Sequence, residues 1–314
     1  MQKSTNTMRA AVIDLGTNTF HLIIGDLADK DPKILYKTTV PVLLGQGRIN
    51  ENMIIPEAFE RGIRTLKAFK SIIDEHQVEV VRAVATSAVR SAINGQEFVD
   101  AAQAMGIDIQ LITGDEEAAF IFKGVSALGI IQRTSLIMDI GGGSTEFIIC
   151  NEDGLIWKKS YDIGAARLMQ AYFHADPISD AERNTIIEVL DKTLGDLKAA
   201  CMQYKPEMLI GSAGAFESFA ILLNNGEDIG DIASMSLDIK AYEKLAERLL
   251  TSTHEERTKM KGLISLRVDM IVIAAILTNY ILDNIGLHAL SLSMYDLKMG
   301  VLHATKEQIT SKAG

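Results

Sequence analysis

Two short glycine-bearing turns carry the residue types in this chain that are best suited to chemistry. The first turn is Asp14-Leu15-Gly16-Thr17-Asn18-Thr19, and the second turn is Asp139-Ile140-Gly141-Gly142-Gly143-Ser144-Thr145. Glycine lets the backbone approach a phosphate closely, and N–H and hydroxyl groups donate hydrogen bonds to phosphate oxygens. The aspartate can hold a magnesium ion directly or through water. The pair of turns therefore predicts phosphate binding.

Each turn lies between two apolar runs, and the sequence predicts a strand for each run. Ala10–Ile13 and Phe20–Ile24 flank the first turn, and Ser135–Met138 and Phe147–Cys150 flank the second. Both groups are typical of a hairpin. A sharp bend between strands explains a single Asp-x-Gly-Thr turn about as well as phosphate binding does. Two such hairpins favour a duplicated domain with a phosphate held between the halves.

The rest of the chain alternates between strand and helix patterns. Further strands are expected at Lys33–Leu44, Val78–Ala85, Ile107–Thr113, Leu155–Ser160, Glu207–Ile210 and Ala289–Leu292. Helices are expected from Pro56, at about Gln96–Met105, Asp115–Leu128, Asp180–Cys201, Ile239–Ser252 and Val268–Ile285, and from about Tyr295. This alternation predicts an α/β fold. The run Val78–Ala85, in which six of the eight residues are apolar, predicts a parallel strand buried on both faces.

Two further positions are candidates for a ligand site. Arg90 follows the strand Val78–Ala85, and ligands often bind beyond the carboxyl end of such a strand. Glu117 is the third of three consecutive acids that open a helix. Acids at a helix N-terminus complement the helix dipole, and Asp115 can simply cap the helix. Glu117 is expected to project toward the phosphate.

The composition limits the classes of function. The chain has 314 residues, which favours about two domains, and its 47% hydrophobic and 23% charged residues are typical of a globular protein. Its net charge of −10 argues against nucleic-acid binding, because such binding uses a basic surface. Met1–Arg9 lacks the apolar stretch of a signal peptide, and the longest apolar run, Met270–Leu277, is too short to span a membrane. We therefore expect a cytoplasmic protein that binds neither nucleic acid nor membrane.

Other residue types with chemical potential have simpler explanations. Cys150 falls in an apolar strand and Cys201 on a helix, so both are predicted to be buried thiols. His21 lies in an apolar strand, where a hydrogen-bonded core residue and a ligand are about equally good explanations. The other histidines lack the spacing of a zinc site.

Four stretches together resemble one known family. They are Ala-Val-Ile-Asp-Leu-Gly-Thr-Asn-Thr-Phe-His from 11 to 21, Ala-Thr-Ser-Ala-Val-Arg-Ser-Ala-Ile-Asn from 85 to 94, Gly-Asp-Glu-Glu-Ala from 114 to 118, and Met-Asp-Ile-Gly-Gly-Gly-Ser-Thr-Glu-Phe from 138 to 147. The last two are the most specific in combination. They resemble the exopolyphosphatase and guanosine pentaphosphate phosphatase (Ppx/GppA) family, and the resemblance covers nearly the whole chain.

The resemblance implies an architecture. We expect two ribonuclease H-like α/β domains of the actin, sugar kinase and Hsp70 ATPase superfamily, with an interdomain cleft. The N-terminal domain would comprise residues 1–126 together with 298–314, and the second domain residues 127–297. A homodimer is also implied. Longer family members carry a C-terminal helical domain of the HD type, and this chain is expected to be a short form without it.

The resemblance also implies a reaction and a set of site residues. The family hydrolyses phosphoanhydrides with Mg²⁺, so the expected partners are inorganic polyphosphate, guanosine pentaphosphate or a nucleoside polyphosphate. Glu117 matches the catalytic base, and Glu146 matches a second acid that positions water or metal. Asp14 and Asp139 match the aspartates near the magnesium ion. The residues that match the phosphate site are Gly16, Thr17, Asn18, Thr19, Arg90, Gly141, Gly142, Gly143, Ser144 and Thr145.

Two departures from the family pattern keep other functions open. The usual Gly-x-Ser-Gly-Thr turn appears as Gly211-Ser212-Ala213-Gly214-Ala215, and the usual Ser-Asp-Gly-x-Leu-Arg-Glu-Gly run appears as Ser293-Met294-Tyr295-Asp296-Leu297-Lys298-Met299-Gly300. Both lie in the second domain, where the rest of the substrate would bind. One alternative is a weakly catalytic sensor of nucleotides or alarmones, and another is an ATPase or kinase of the same fold.

Overall fold

A computed structural model describes residues 8–313, with the side chains described up to residue 311. The expectation of a polar beginning without a signal sequence falls mainly on residues 1–7, outside the described residues. The chain divides into two compact units: one runs to Ala127 and takes in the segment from Leu297 onward, and the other is Leu128–Asp296. Among the described residues, no helix is long and apolar enough to cross a membrane.

The first unit contains one sheet and four helices before the chain leaves it. Its strands are β1 (Arg9–Leu15), β2 (Thr19–Asp26), β3 (Lys33–Pro41), β4 (Val80–Ala85) and β5 (Ile109–Leu111). Its helices are α1 (Pro56–Glu75), α2 (Ser87–Ser91), α3 (Gly95–Gln103) and α4 (Gly114–Ala127), with a short 3₁₀ segment at Ile49–Glu51.

The second unit contains a larger sheet and seven helices within the described residues. Its strands are β6 (Ser135–Ile140), β7 (Thr145–Asn151), β8 (Gly154–Tyr161), β9 (Met208–Ser212), β10 (Ser234–Leu237) and β11 (Leu290–Ser293). Its helices are α5 (Ala165–Tyr172), α6 (Asp180–Thr193), α7 (Gly195–Tyr204), α8 (Ala213–Leu223), α9 (Ile239–Thr251), α10 (His254–Thr258) and α11 (Met270–Ile285), with a 3₁₀ segment at Ser265–Arg267. The last helix, α12 (Leu297–Ala313), belongs to the first unit.

The two sheets repeat one arrangement of strands. The first sheet has the order β3-β2-β1-β4-β5, and the second contains the same pattern as β8-β7-β6-β9-β11, with β10 added at its edge. In each, the first three strands form an antiparallel meander and the next two run parallel to the hairpin's first strand. This is the arrangement expected of two ribonuclease H-like domains, so the predicted fold class is confirmed.

The core of the first unit lies between one face of the sheet and the helices α1 and α3. Helix α1 begins at Pro56, which is tolerated in the first turn because its missing N–H would have no partner in the helix there. The helix predicted from Pro56 is confirmed, and it buries Leu66, Phe69 and Ile73 against the sheet. In α3, Phe98 packs edge-on against Phe20 of β2, with ring centroids 6.2 Å apart.

The start of α4 is fixed by side chains on either side of Gly114. The Thr113 hydroxyl accepts a hydrogen bond from the Glu116 N–H at 3.2 Å, and the Glu116 carboxylate accepts one from the Thr113 N–H at 2.7 Å. This reciprocal pair is a capping box. The interpretation of Asp115 as the cap is therefore wrong: Thr113 caps the helix, and Glu116 completes the pair.

Two predicted elements differ from the structure for local reasons. The predicted helix Asp180–Cys201 is two helices, α6 and α7, separated at Leu194. The backbone of Leu194 (φ −97°, ψ 22°) is not helical, and the next residue, Gly195, is a weak helix former. The strand 78–85 was expected to be buried on both faces, but Val81 is 39% exposed. The cause is the short neighbour β5, which pairs only with Ala83–Ala85.

Candidate active site

The two glycine turns have the same backbone geometry. Each joins two antiparallel strands, and the aspartate before each turn lies directly across from the residue seven positions later, His21 for Asp14 and Glu146 for Asp139. A Cβ added at Gly16 would lie 2.9 Å from the carbonyl oxygen of residue 19, and one added at Gly141 would lie 2.9 Å from that of residue 144. Only glycine fits such an approach without displacing the backbone.

The carbonyl groups of the second turn point at the N-terminus of α5. The Gly141 oxygen accepts from the Ala165 N–H at 2.8 Å, and the Gly142 oxygen accepts from the N–H groups of residues 166 and 167 at 2.9 and 3.1 Å. The Gly143 oxygen accepts from the Gly164 N–H at 3.2 Å. In a trans peptide the N–H points opposite to the C=O. The N–H groups of residues 142–144 therefore point away from α5.

The carbonyl groups of the first turn are held in the same way by a loop after β3. The Asn18 oxygen accepts from the N–H groups of Val42 and Leu43 at 2.9 and 2.8 Å, and the Thr17 oxygen accepts from the Gly45 N–H at 3.1 Å. The N–H groups of residues 18 and 19 consequently point away from that loop. Both turns thus present several backbone donors on one side, as a phosphate-binding concavity requires.

The hydroxyl groups of the turns have different partners. The Thr19 hydroxyl is hydrogen-bonded to Nε2 of His21 at 2.9 Å, and the other ring nitrogen of His21 is bonded to the Thr39 hydroxyl at 2.8 Å. The Thr145 hydroxyl donates to the Ile163 carbonyl at 3.1 Å in a fully buried position. Its proton is therefore used within the fold and is not available to a ligand.

Glu117 and Arg90 form a buried pair in the first unit. Glu117, in the first turn of α4, is 7% exposed, and its Oε2 accepts a hydrogen bond from Arg90 Nη1 at 2.9 Å. The same Arg90 nitrogen also donates to the Ile112 carbonyl at 3.0 Å. Burial raises the pKa of the Glu117 carboxyl, while the hydrogen bond and the charge of Arg90 lower it. The pair can both take up a proton and contact an anion.

Asp139 and Glu146 form another buried pair, made of two acids, in the second unit. They face each other across β6 and β7 and are 7% and 1% exposed. The Ser212 hydroxyl donates to Asp139 at 3.0 Å, and the Ser160 hydroxyl donates to Glu146 at 2.6 Å. These hydrogen bonds hold both carboxylates in place.

This acidic pair fits the requirements of Mg²⁺. Among the described residues, no group of three or more His, Cys, Asp or Glu side chains is arranged to hold a metal ion. Mg²⁺ does not need such a group, because it retains water and is commonly bound by one or two carboxylates plus substrate phosphates. Asp139 and Glu146 supply two neighbouring hard oxygen ligands of this type.

The comparisons with known proteins decide the family. The model of the Ppx/GppA phosphatase family matches residues 23–308 of the chain. The chain belongs to this family. The resemblance predicted from its four sequence stretches is thereby confirmed.

Three relatives illustrate the range of the Ppx/GppA family around this chain. The crystal structure of an exopolyphosphatase from Cytophaga hutchinsonii is similar with a TM-score of 0.92 and 37% identity, covering 96% of this chain and 98% of that one. Exopolyphosphatase 2 of Mycobacterium tuberculosis is 29% identical over 310 residues, or 93% of this chain and 97% of that protein. The guanosine-5'-triphosphate,3'-diphosphate pyrophosphatase of Vibrio atlanticus is 30% identical over 230 residues, or 73% of this chain but only 46% of that protein.

The structure shows contacts at the glycine turns of this Ppx/GppA chain that its sequence did not reveal. Gly164 contacts the backbone of the second turn, and the Arg167 Nε donates to the Gly143 carbonyl at 3.2 Å. Arg267 lies against Gly214 and is paired with Glu217 at 3.0 Å. Gly164 and Arg167 could have been suspected from the run Gly-Ala-Ala-Arg that follows β8. Arg267 is distant in sequence, and no local pattern connects it to Gly214.

Proposed function

We propose that this chain is a Mg²⁺-dependent phosphoanhydride hydrolase that releases terminal phosphate from inorganic polyphosphate or guanosine pentaphosphate. Membership of the Ppx/GppA phosphatase family and the names of the relatives support this substrate class. The single observation that carries the proposal is the matched pair of turns, each with its carbonyl groups bonded behind it and its N–H groups directed the other way.

The turns act by binding and stabilising phosphoryl oxygens. Phosphoryl transfer needs little covalent work from the protein, so fixed donors aimed at the developing charge account for most of the catalysis. The N–H groups of the Gly142-Gly143-Ser144 segment and of Asn18 and Thr19 are such donors. Because their peptides are already held by hydrogen bonds on the carbonyl side, they need no reorganisation when the substrate binds.

Glu117 acts as the general base on the attacking water. A buried carboxylate is a stronger base than an exposed one, because burial disfavours its charged form and raises its pKa. Arg90 keeps the carboxylate oriented and offsets part of that rise through its charge. Arg90 also brings a positive charge to a region where an anionic substrate must be accepted.

Asp139 and Glu146 would hold Mg²⁺, with Asp14 as a further expected ligand from the first turn. When bound, the ion would neutralise charge on the phosphates and help orient them. The residues of the chain prepare this site, because the hydroxyl groups of Ser212 and Ser160 fix the two carboxylates of the second unit. Hydrogen bonds of this kind to metal ligands typically tune affinity.

The test compares Glu117→Gln with a matched control one residue earlier. Phosphate release would be measured on short polyphosphate, long polyphosphate, guanosine pentaphosphate and ATP, each with Mg²⁺ and with a chelator. Glu117→Gln should lower turnover by at least about 100-fold, as expected for a lost general base. Glu116→Gln should retain turnover, because glutamine can still complete the capping box with Thr113.

Each outcome of this assay assigns a function. Release that requires both Mg²⁺ and Glu117 supports the hydrolase and identifies its preferred substrate. Full activity in Glu117→Gln contradicts the mechanism. Tight binding of one compound without release from any of the four would instead indicate a nucleotide or alarmone sensor.

A further inference from the structure

A loop behind the first turn determines how that turn is held. We call residues 42–46 the supporting loop. Three of its N–H groups, those of Val42, Leu43 and Gly45, donate to the carbonyl oxygens of Asn18 and Thr17. Within residues 8–313, no helix N-terminus takes this part in the first unit, in contrast to α5 in the second. The orientation of the first turn therefore depends on the conformation of the supporting loop.

The supporting loop has a backbone conformation that needs support. Leu43 has φ of +52°, in the left-handed region that residues with a Cβ rarely adopt. Such a conformation persists only where surrounding contacts fix it. Gly45 is also tightly packed, because an added Cβ would lie 2.6 Å from Cγ2 of Thr17. The loop is thus both strained and in direct contact with the turn.

Arg61 of α1 is bonded to three acceptors in this loop. Its Nε donates to the Val42 carbonyl at 2.8 Å, and its Nη2 donates to the Leu43 carbonyl at 3.2 Å and to Oε1 of Gln46 at 2.8 Å. The two carbonyls lie on either side of the Leu43 backbone, so the rigid guanidinium fixes the strained residue from both ends. A planar fork with several donors suits this task, and a lysine ammonium does not reproduce it.

We infer that Arg61 is a positioning residue for phosphate binding at the first turn. It acts through the supporting loop. The guanidinium fixes the backbone of Val42 and Leu43, and the N–H groups of these two residues hold the Asn18 carbonyl. The N–H of Thr19, in the same peptide group, therefore points away from the loop. This inference rests on the proposed function for the identity of the ligand. The connection from Arg61 to the turn rests on the structure of the first unit alone.

The experiment compares Arg61→Gln and Arg61→Lys with Arg64→Gln. Arg64 is exposed on the same helix, one turn further on, so its substitution removes a similar charge without touching the supporting loop. Amide hydrogen exchange would be followed in peptides covering residues 16–20 and 42–46, in the protein without ligand. Steady-state phosphate release would then give kcat and KM for polyphosphate.

We expect faster exchange in both segments for Arg61→Gln, an intermediate rate for Arg61→Lys and the wild-type rate for Arg64→Gln. KM should rise about tenfold in Arg61→Gln, as expected when one or two hydrogen bonds are lost. The value of kcat should fall as well, because the Asn18 and Thr19 N–H groups also face developing charge, but by less than in Glu117→Gln, since the base is untouched. If Arg61→Gln does not fold, exchange and kinetics are compared between wild type, Arg61→Lys and Arg64→Gln, and faster exchange is expected in Arg61→Lys alone.

The two readouts separate this inference from the proposed function. Wild-type exchange in both segments of the Arg61 variants would overturn the inference, whatever the activity. Faster exchange in the 42–46 segment alone would also overturn it, because the effect would then not reach the turn. A wild-type protein that releases no phosphate would overturn the proposed function, and the exchange data would still decide the role of Arg61.

Discussion

The two turns of this molecule reach the same geometry with different supports. In the second unit, the N-terminal N–H groups of α5 bind the turn's carbonyls directly. In the first unit, the supporting loop does so, and its strained Leu43 is fixed in turn by Arg61. What the two halves share is the direction of the turn's peptide groups. The element that holds the peptide groups in this direction differs between the two units.

A second difference lies in the row of side chains beside each turn. Paired positions across three strands carry Asp14, His21 and Thr39 in the first unit, and Asp139, Glu146 and Ser160 in the second. On the other side of the aspartate, the first unit has Val84 and the second has Ser212, which donates to Asp139. The second row therefore holds two carboxylates, each with a hydroxyl donor. The first row holds one carboxylate beside an imidazole.

Under the proposed function, this contrast predicts a division of tasks between the two halves. Two buried carboxylates at hydrogen-bond distance from hydroxyl donors are suited to a divalent cation. One carboxylate beside a histidine carries less negative charge and is better suited to an anion. We therefore expect Mg²⁺ to depend chiefly on Asp139 and Glu146, and the first turn to contribute mainly phosphate binding.

Among the variants that test the supports of the two turns, the largest effect is expected from Gly164→Ala, which disturbs the support of the second turn. The φ of Gly164 is −68°, suitable for any residue, so alanine tests the available space alone. The added Cβ would meet the backbone of Gly142 and Gly143, including the Gly142 oxygen at 2.5 Å. Because the turn must shift, phosphate release should fall by about 100-fold, the cost of displacing catalytic groups by about 1 Å.

Gly45→Ala provides the matching test in the first unit. There the nearest atoms are side-chain methyl groups of Thr17 and Ile49, at 2.6 and 2.9 Å, which can move more easily than backbone. Its effect should be clearly smaller than that of Gly164→Ala. Gly195→Ala is the neutral control, because among the described residues the added Cβ would have no heavy atom within 4 Å apart from its chain neighbours and its own helix backbone. Equal losses for Gly164→Ala and Gly195→Ala would contradict the direct contact of α5 with the turn.

The second-largest expected effect comes from changing the buried pair Arg90 and Glu117. It is measured in the pH dependence of phosphate release. Glu117 must be deprotonated to act as a base, and Arg90 lowers a pKa that burial has raised. Arg90→Gln removes this lowering, so the pKa of Glu117 rises further and the acid limb of the profile moves to higher pH. Activity near neutral pH should fall by at least about tenfold, since a hydrogen bond to a charged group is lost.

Two other arginine variants test the assignment of this effect. Arg90→Lys keeps the charge and should move the acid limb less than Arg90→Gln. Arg82→Gln, on the strand that leads to α2, should leave the limb in place, because Arg82 is bonded to Gln308. An acid limb that stays fixed or moves to lower pH in Arg90→Gln would remove Glu117 from the role of general base.

The hairpins and the family could be predicted from the sequence because their information is local. An apolar run, an aspartate, a glycine turn and a second apolar run occur within 15 residues in the first hairpin and 16 in the second, and strand pairing follows from the turn. The helix that begins at Pro56 and the helix that ends at Ile285 were equally accessible, since their apolar residues recur at helical spacing over a long segment. Both predictions agree with the structure.

The supports of the turns could not be predicted, because they depend on contacts between distant segments. Periodicity places Arg61 on the polar side of α1 but does not show that its guanidinium binds carbonyls after β3. The contact between Gly164 and the second turn likewise appears only once β8 and α5 are folded. The break at Leu194 was missed because the apolar stripe continues through it, while a single non-helical residue ends the helix.

The smallest expected effect compares the outermost hydroxyls of the two rows. Thr39→Val removes a hydrogen bond to His21, whose other ring nitrogen is bonded to the Thr19 hydroxyl, so KM should rise about threefold. The Mg²⁺ concentration for half-maximal release should stay unchanged. Ser160→Ala removes the donor to Glu146 and should raise that concentration by about tenfold, as expected for partners of metal ligands. The division of tasks between the two halves would be contradicted if Thr39→Val raised the Mg²⁺ concentration for half-maximal release, or if Ser160→Ala left that concentration unchanged.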